Sequence, residues 1–85
     1  MPIRPLSEEE VQIKARFIQA MYMCIGTRRC KTKSEFAEMV GILPTNVTRL
    51  EKNDKISVTV HNVAMLCSKL GVKANWIILG EGEMF

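Results

Sequence analysis

The sequence predicts an all-α fold, a compact bundle of five helices within a chain of 85 residues. Apolar residues recur at helical spacing in five segments, and capping residues or glycines bound most of these segments. Two short helical patterns meet at Gly41, which allows a sharp turn. No convincing strand is present, because the β-branched run 56–60 is too brief and isolated to build a sheet.

The first helix is predicted from Glu8 to near Ile25. Ser7 and Glu10 have the spacing of a capping box, and the acids of the first turn suit the positive end of the helix dipole. Two adjoining apolar stripes follow the helix: Val11, Ala15, Ile18, Tyr22 and Ile25 in one, and Phe17, Met21 and Cys24 in the other. So wide an apolar sector has two interpretations, a nearly buried helix or a contact with another subunit.

A basic segment and a second helix come next. Between Gly26 and Ser34 the chain has four cations and no acid, namely Arg28, Arg29, Lys31 and Lys33. Thr32 and Glu35 have the spacing of another capping box, which predicts a second helix ending at Val40. The basic segment is either a solvated loop or an edge that faces phosphates, and its place beside the helix pair favours the second interpretation.

The third helix is predicted from near Pro44 to about Lys52, since proline suits the first turn of a helix. Asn53-Asp54-Lys55 is typical of a turn. Thr59 is predicted to cap a fourth helix that ends before Gly71. Its predicted inward residues are Val60, Val63, Ala64, Cys67 and Leu70. A short fifth helix is predicted at about 74–79.

The second and third helices have the pattern of a helix-turn-helix. Ala37 lies four residues before Gly41, and a small residue is needed there because the two helices approach closely. The predicted scaffold of the motif consists of Phe36, Ala37, Val40, Gly41, Ile42, Val47 and Leu50. This geometry leaves the second helix of the pair free to enter a DNA groove, although a helical hairpin in an ordinary bundle is the alternative.

The outward residues of the third helix are predicted to be Thr45, Asn46, Thr48, Arg49 and Lys52. Arg49 is suited to a guanine edge or a phosphate, and the two threonines are suited to base edges or thymine methyl groups. The amide groups that open the second helix, beside Thr32 and Lys33, are suited to gripping a phosphate.

Composition and charge limit the other classes of function. The net charge of +3 permits a nucleic-acid partner. No apolar run approaches the roughly 20 residues of a membrane span. The start lacks a signal peptide, so a cytoplasmic location is expected. The three cysteines form no CxxC pair, and no metal or other cofactor is expected. Cys24 and Cys67 are predicted to be buried, and His61 to lie at the surface. No enzyme is expected, because this single histidine has no partner at a fixed spacing.

Two segments carry a resemblance to a known family. KTKSEFAEMVGILPTNVTRLEKN resembles the helix-turn-helix of the phage repressor and Cro-type family. NWIILGEGEMF is similar to the tryptophan-leucine-threonine-glycine-glutamate-glycine ending common in repressor-like regulators of that family. The likeness covers about Phe17 to Phe85. It implies a five-helix repressor-like DNA-binding domain, sequence-specific operator binding, and a homodimer on a two-fold site.

By position, the resemblance directs Pro44, Thr45, Thr48 and Arg49 toward base edges. The predicted phosphate contacts, from the resemblance and the basic residues together, are Arg28, Arg29, Lys31, Thr32, Lys33, Asn46, Lys52, Asn53 and Lys55. Three positions depart from the family pattern, and the first is Lys33, which stands where the family often has a glutamine that helps to orient a base-reading glutamine. Pro44 stands where a base-reading glutamine is usual, and Leu43 replaces a serine-like cap, so base readout at this end must differ.

The expected function is therefore a transcriptional regulator, most simply a repressor, that binds double-stranded DNA as a dimer. The alternative is a protein-interaction module on the same fold, such as the antitoxin of a toxin–antitoxin pair. Residues 1–7 are predicted as an extended arm, since Pro2 and Pro5 disfavour helix, and residues 8–85 as the DNA-binding domain. Whether a C-terminal sensing domain or a partner protein complements this chain is left open.

Overall fold

The computed structural model describes residues 6–53 and 55–85 and shows five helices. They are α1 (Glu8–Gly26), α2 (Lys33–Val40), α3 (Pro44–Lys52), α4 (Val60–Leu70) and α5 (Ala74–Leu79). The described residues contain no strand, so the all-α prediction is confirmed. Most of the predicted N-terminal arm, residues 1–5, and Asp54 of the predicted turn lie outside the described residues.

The core is built around α2, which packs against α1, α3 and α4. Phe36 of α2 meets Phe17 of α1 edge to face, with ring centroids 5.5 Å apart. Leu66 of α4 and Ile77 of α5 are fully buried in the same cluster. One apolar centre is therefore shared by all five helices, as a chain of this size requires.

The buried face of α1 corrects one sequence interpretation. Phe17, Met21 and Cys24 of the second stripe are buried, whereas Val11 and Tyr22 of the first stripe remain 50% and 48% exposed. The helix packs against α2 and α5 on one side, and the other side stays accessible. Of the two interpretations of this helix, the nearly buried helix is therefore wrong.

The orientation of α4 is a second correction. Asn62, Leu66 and Leu70 are its buried residues, while the predicted inward residues Val60 and Ala64 are exposed. Asn62 is responsible, because its Nδ2 donates to the Val40 carbonyl at 2.8 Å and its Oδ1 accepts from the Thr59 amide at 3.0 Å. A buried amide thus joins the start of α4 to the end of α2.

The turn between α2 and α3 depends on Gly41. Its φ of 77° lies in the left-handed region, and the next amide, of Ile42, donates to the Ala37 carbonyl at 2.8 Å. Ala37 is fully buried at the contact between the helices. At the other end of α2, the Thr32 hydroxyl accepts from the Glu35 amide, which is the first half of the predicted capping box. The structure does not show the reciprocal bond from the Glu35 side chain among the described contacts.

Replacing Gly41 by alanine is expected to lower the free energy of unfolding by about 1 to 2 kcal/mol, since a residue with a Cβ is strained in this conformation. The added methyl carbon would also lie 2.9 Å from Nε2 of His61, so the imidazole must move aside. Urea denaturation measures the change. Gly26→Ala is the control, because a methyl group there meets nothing within 4 Å and no left-handed φ is required. Equal stability of the two variants would contradict this account of the turn.

Candidate nucleic-acid interface

The exposed face of α3 presents the residues predicted to read DNA. Val47 and Leu50 are buried at 4% and 5% exposure, which fixes the opposite face of the helix toward solvent. Pro44, Thr45, Thr48, Arg49 and Lys52 are all exposed. Among the described residues, no side-chain hydrogen bond or ion pair occupies the polar groups of these outward residues. They are therefore accessible to an external partner.

Two depressions bring the predicted contacts together. Thr48, Arg49, Lys52 and Asn53 line a shallow depression at the end of α3. Asn46 and Arg49 also line a more enclosed cleft of about 350 Å³ that continues to α4, the α3–α4 cleft, whose polar walls include Ser57, Thr59 and His61. Arg49 therefore lies between predicted base and phosphate contacts.

Sequence reasoning did not place Ser57, Thr59 and His61 at this site. The sequence indicated that His61 is exposed at the start of a helix, and the structure agrees. Its position over Gly41 depends on the packing of α4 against α2, which joins segments about 20 residues apart in the chain. No local pattern encodes that contact.

The amino end of α3 is open. Leu43 occupies the N-cap position without a side-chain hydrogen bond to the helix, and it is 67% exposed. Pro44 occupies the first turn, where it has no amide hydrogen to satisfy. The end of the helix that the sequence singled out as unusual therefore presents apolar side chains where a polar cap is common.

A cluster of three side chains ties Lys33 into the domain. Its Nζ lies 3.1 Å from Glu51 Oε1 and 5.0 Å from the centre of the Tyr22 ring. The Tyr22 hydroxyl donates to the other oxygen of Glu51 at 2.8 Å. The cluster joins α1, the start of α2 and the end of α3, so a predicted phosphate contact is also an intramolecular partner.

The cluster changes two pKa values in the directions that favour the charged pair. Tyr22 and then Glu51 raise the pKa of Lys33 above its ordinary 10.5. Burial opposes ionisation of Glu51, but hydrogen bonds from Tyr22 and Lys33 outweigh it and lower the pKa below 4.5. The cluster therefore stabilises the fold at pH values between the pKa of Glu51 and the pKa of Lys33. Its contribution is lost as pH falls through the lowered pKa of Glu51, or rises through the raised pKa of Lys33.

The basic segment between α1 and α2 divides into two kinds of residue. Arg28, which has a φ of 63°, and Lys31 are exposed and have no partner among the described side chains. Arg29 instead donates to the Leu70 carbonyl at 3.2 Å, and its guanidinium lies 3.8 Å from the centre of the Phe85 ring. Arg29 therefore fastens the C-terminal segment to this loop, and its predicted phosphate contact would compete with that role.

The segment after α3 is held by a lysine that sequence reasoning passed over. Lys14, only 9% exposed, donates from Nζ to the carbonyls of Asn53 and Ile56 at 2.6 and 2.7 Å. The Asn53 side chain accepts from the Lys55 amide at 2.9 Å. A signal was present in the sequence, because Lys14 lies three residues before Phe17 on the same face of α1.

The cysteines are free thiols within the apolar structure. Cys24 and Cys30 are buried and Cys67 is half-buried. Burial, with a smaller effect of Cys30, raises the pKa of Cys24 to about 11, and burial also raises the pKa of the other two. Among the described residues, no three His, Cys, Asp or Glu side chains form a group able to hold a metal ion. No helix in that part of the chain is long and apolar enough to cross a membrane.

Comparisons of this chain with models of protein families, with curated proteins and with solved structures find no match.

Proposed function

We propose that this protein is a sequence-specific DNA-binding transcriptional regulator of the cytoplasm, a repressor that binds a two-fold operator as a dimer. The observation that carries the proposal is the outward face of α3. It presents Thr45, Thr48, Arg49 and Lys52 without competing intramolecular bonds among the described residues. Hydrogen-bonding groups on one face of a short helix are what the major groove accommodates.

In the proposed complex, α2 and α3 act as a helix-turn-helix. The small, buried side chain of Ala37 allows the two helices to approach closely, and the left-handed Gly41 sets the angle at which α3 leaves α2. Arg49 reads a base edge, with the threonines beside it. Leu43 and Pro44 supply apolar surface at the amino end of α3, suited to the methyl group of thymine.

Cations around α3 supply most of the affinity in this proposal, and the affinity depends on salt for that reason. Lys52 and Lys55 lie at and after the end of α3, and the exposed Arg28 and Lys31 of the loop before α2 are further phosphate contacts in this proposal. Lys33 is the exception, because Glu51 already holds its ammonium group at 3.1 Å. A DNA phosphate must compete with that carboxylate.

Glu51→Gln is therefore expected to tighten DNA binding several-fold, since it removes the competing charge from Lys33. The slope of log K against log salt should steepen by about 0.9, the contribution of one further phosphate contact. The same variant should lose less stability than the wild type as pH falls below 4.5, because the carboxylate that is protonated there is absent.

Glu38→Gln is the matched control for this change. Glu38 is exposed on α2, and its side chain has no partner among the described residues, so the substitution alters net charge equally without releasing Lys33. Equal effects of both variants on the salt slope would contradict the competition between Glu51 and DNA.

The test of the proposal is selection of bound sequences from a random pool of double-stranded DNA, followed by titration over a salt series. A palindromic motif and a steep salt dependence are the expected results. A pool that stays random, with uniform weak binding, would overturn sequence-specific regulation.

A protein-interaction module, such as an antitoxin, is the second candidate. The half-exposed Val11, Tyr22 and Met23 of α1 favour it, because they leave apolar surface on a helix already packed on one side. Stoichiometric co-purification with a small partner, lost in Met23→Glu, is the expected result for that function.

A further inference from the structure

An apolar groove lies on the flank formed by α1, the segment before α4, α4 and α5. Its apolar walls are Ile13, Val58, Val60, Val63 and Ile78, and its volume is about 360 Å³. Val60 is 87% exposed and Ile78 is 47% exposed. This flank thus combines a concave surface with a protruding aliphatic side chain at its edge.

The charge of the groove argues against DNA as its occupant. Among the described residues that line it, Glu10 alone is charged, and its carboxylate accepts from the Ser7 amide at 3.1 Å in the capping box of α1. A surface that binds phosphates needs cations, and none of the described residues that line this groove is a cation. Its chemistry fits aliphatic side chains.

We propose that a second copy of this chain occupies the groove, with Val60 of each copy entering the groove of the other across a two-fold axis. The inference rests on the proposed function, which requires two copies on one operator. A two-fold interface is self-complementary, so one patch must supply both the inserted side chain and the surface that receives it. Val60 and the groove beside it meet that condition.

The position of the groove agrees with a dimer that reads two half-sites. Ser57 and Thr59 line this groove on one side and the α3–α4 cleft, with Arg49, on the other. The domain measures 39 × 29 × 18 Å, so two copies in contact have centres roughly 20 to 40 Å apart, depending on which dimension lies across the interface. Half-sites one helical turn apart are about 34 Å from each other.

A two-fold interface of standard size would cover only a small part of the exposed surface. A standard interface covers about 800 Å² on each partner, which is roughly one seventh of the 5690 Å² that this chain exposes. Leu79, which is 62% exposed, follows Ile78 and adds apolar surface at the end of α5. The groove supplies the buried centre of such an interface, and its polar margin includes Ser57 and Thr59.

The decisive variant is Val60→Glu in the full chain. Val60 is the first residue of α4 and is almost fully exposed, and an acid suits the start of a helix, so folding should be retained. Analytical ultracentrifugation over a concentration series should show a dimer for the wild type. The dissociation constant of the variant dimer should be at least about tenfold higher, as expected for a central anchor of an interface.

Met23→Glu is the matched control, since it changes an exposed apolar residue of α1 that does not line the groove. It should dimerise as the wild type does. A wild type that stays monomeric at all concentrations, as expected if another protein fills the groove, would overturn the inference. Dimerisation of Val60→Glu equal to that of the wild type would also overturn it.

DNA selection separates this inference from the proposed function. A dimer that depends on Val60 but enriches no sequence would support the interface and refute the operator-binding role. Enrichment of a palindrome by a wild type and a Val60→Glu variant of equal affinity would support DNA binding and refute this interface. If the operator-binding function and this interface are both correct, Val60→Glu should bind the complete palindrome more weakly than the wild type does. Its affinity for a single half-site should be unchanged.

Discussion

Lys14→Met is expected to lower the free energy of unfolding by about 2 to 3 kcal/mol, because hydrogen bonds from a charged donor are among the stronger ones in proteins. The substitution removes the ammonium group that holds the Asn53 and Ile56 carbonyls at 2.6 and 2.7 Å. Methionine preserves the unbranched apolar stem, so the loss reports the polar contacts more than the packing.

The loss of stability in Lys14→Met should be largest in the segment after α3. Amides of the segment after α3 should exchange with solvent faster in Lys14→Met, since the fastening to α1 is gone. Gln19→Met is the control on the same helix, because Gln19 is exposed and has no side-chain partner among the described residues, and it should change stability by less than about 0.5 kcal/mol. A Lys14→Met protein as stable as this control would show that the two carbonyls need no lysine.

The beginnings of three helices could be predicted from the sequence because local chemistry determines them. Ser7 and Thr59 both form complete capping boxes, with Glu10 and Asn62 respectively. Thr32 caps α2 through the Glu35 amide. Each of these contacts joins residues three apart, so the necessary groups are visible in a short stretch of sequence.

The direction in which α1 and α4 face could not be predicted in the same way. Apolar periodicity placed Val60 and Ala64 inward, whereas the buried position belongs to Asn62. Its partner, the Val40 carbonyl, lies 22 residues away in the chain. Lys14 is a similar case, since its acceptors are 39 and 42 residues away. Apolar periodicity predicts the wrong buried face when a polar residue is buried there and donates hydrogen bonds to carbonyls distant in the chain.

At the candidate site, too, features set by local sequence could be predicted, whereas contacts between distant segments could not. Helical periodicity alone was enough to predict the outward face of α3, because Val47 and Leu50 fix the inward one. The basic residues were harder to rank. Lys33 and Arg29 look equivalent to Lys31 in the sequence, but Glu51 and Phe85 engage the first two in the folded chain.

Arg49→Ala is expected to weaken binding to the selected operator by roughly 5- to 150-fold, the 1 to 3 kcal/mol typical of a bidentate contact with a guanine. Arg49 is exposed on α3 between the two depressions that contain the other predicted contacts. Repeating the selection with the variant should show relaxed preference at one base pair in each half-site. Binding as tight as that of the wild type would mean that another surface reads the DNA.

Two further substitutions distinguish readout of a base from attraction to a phosphate. Lys52→Ala should weaken binding to all sequences about equally and reduce the salt slope by about 0.9, as expected for loss of one phosphate contact. Arg49→Lys keeps the charge but loses the planar fork that donates two parallel hydrogen bonds. If Arg49 reads guanine, Arg49→Lys should relax the sequence preference almost as far as Arg49→Ala while retaining the salt slope of the wild type. If Arg49 holds a phosphate, lysine should restore most of the affinity, and the preferred sequence should not change.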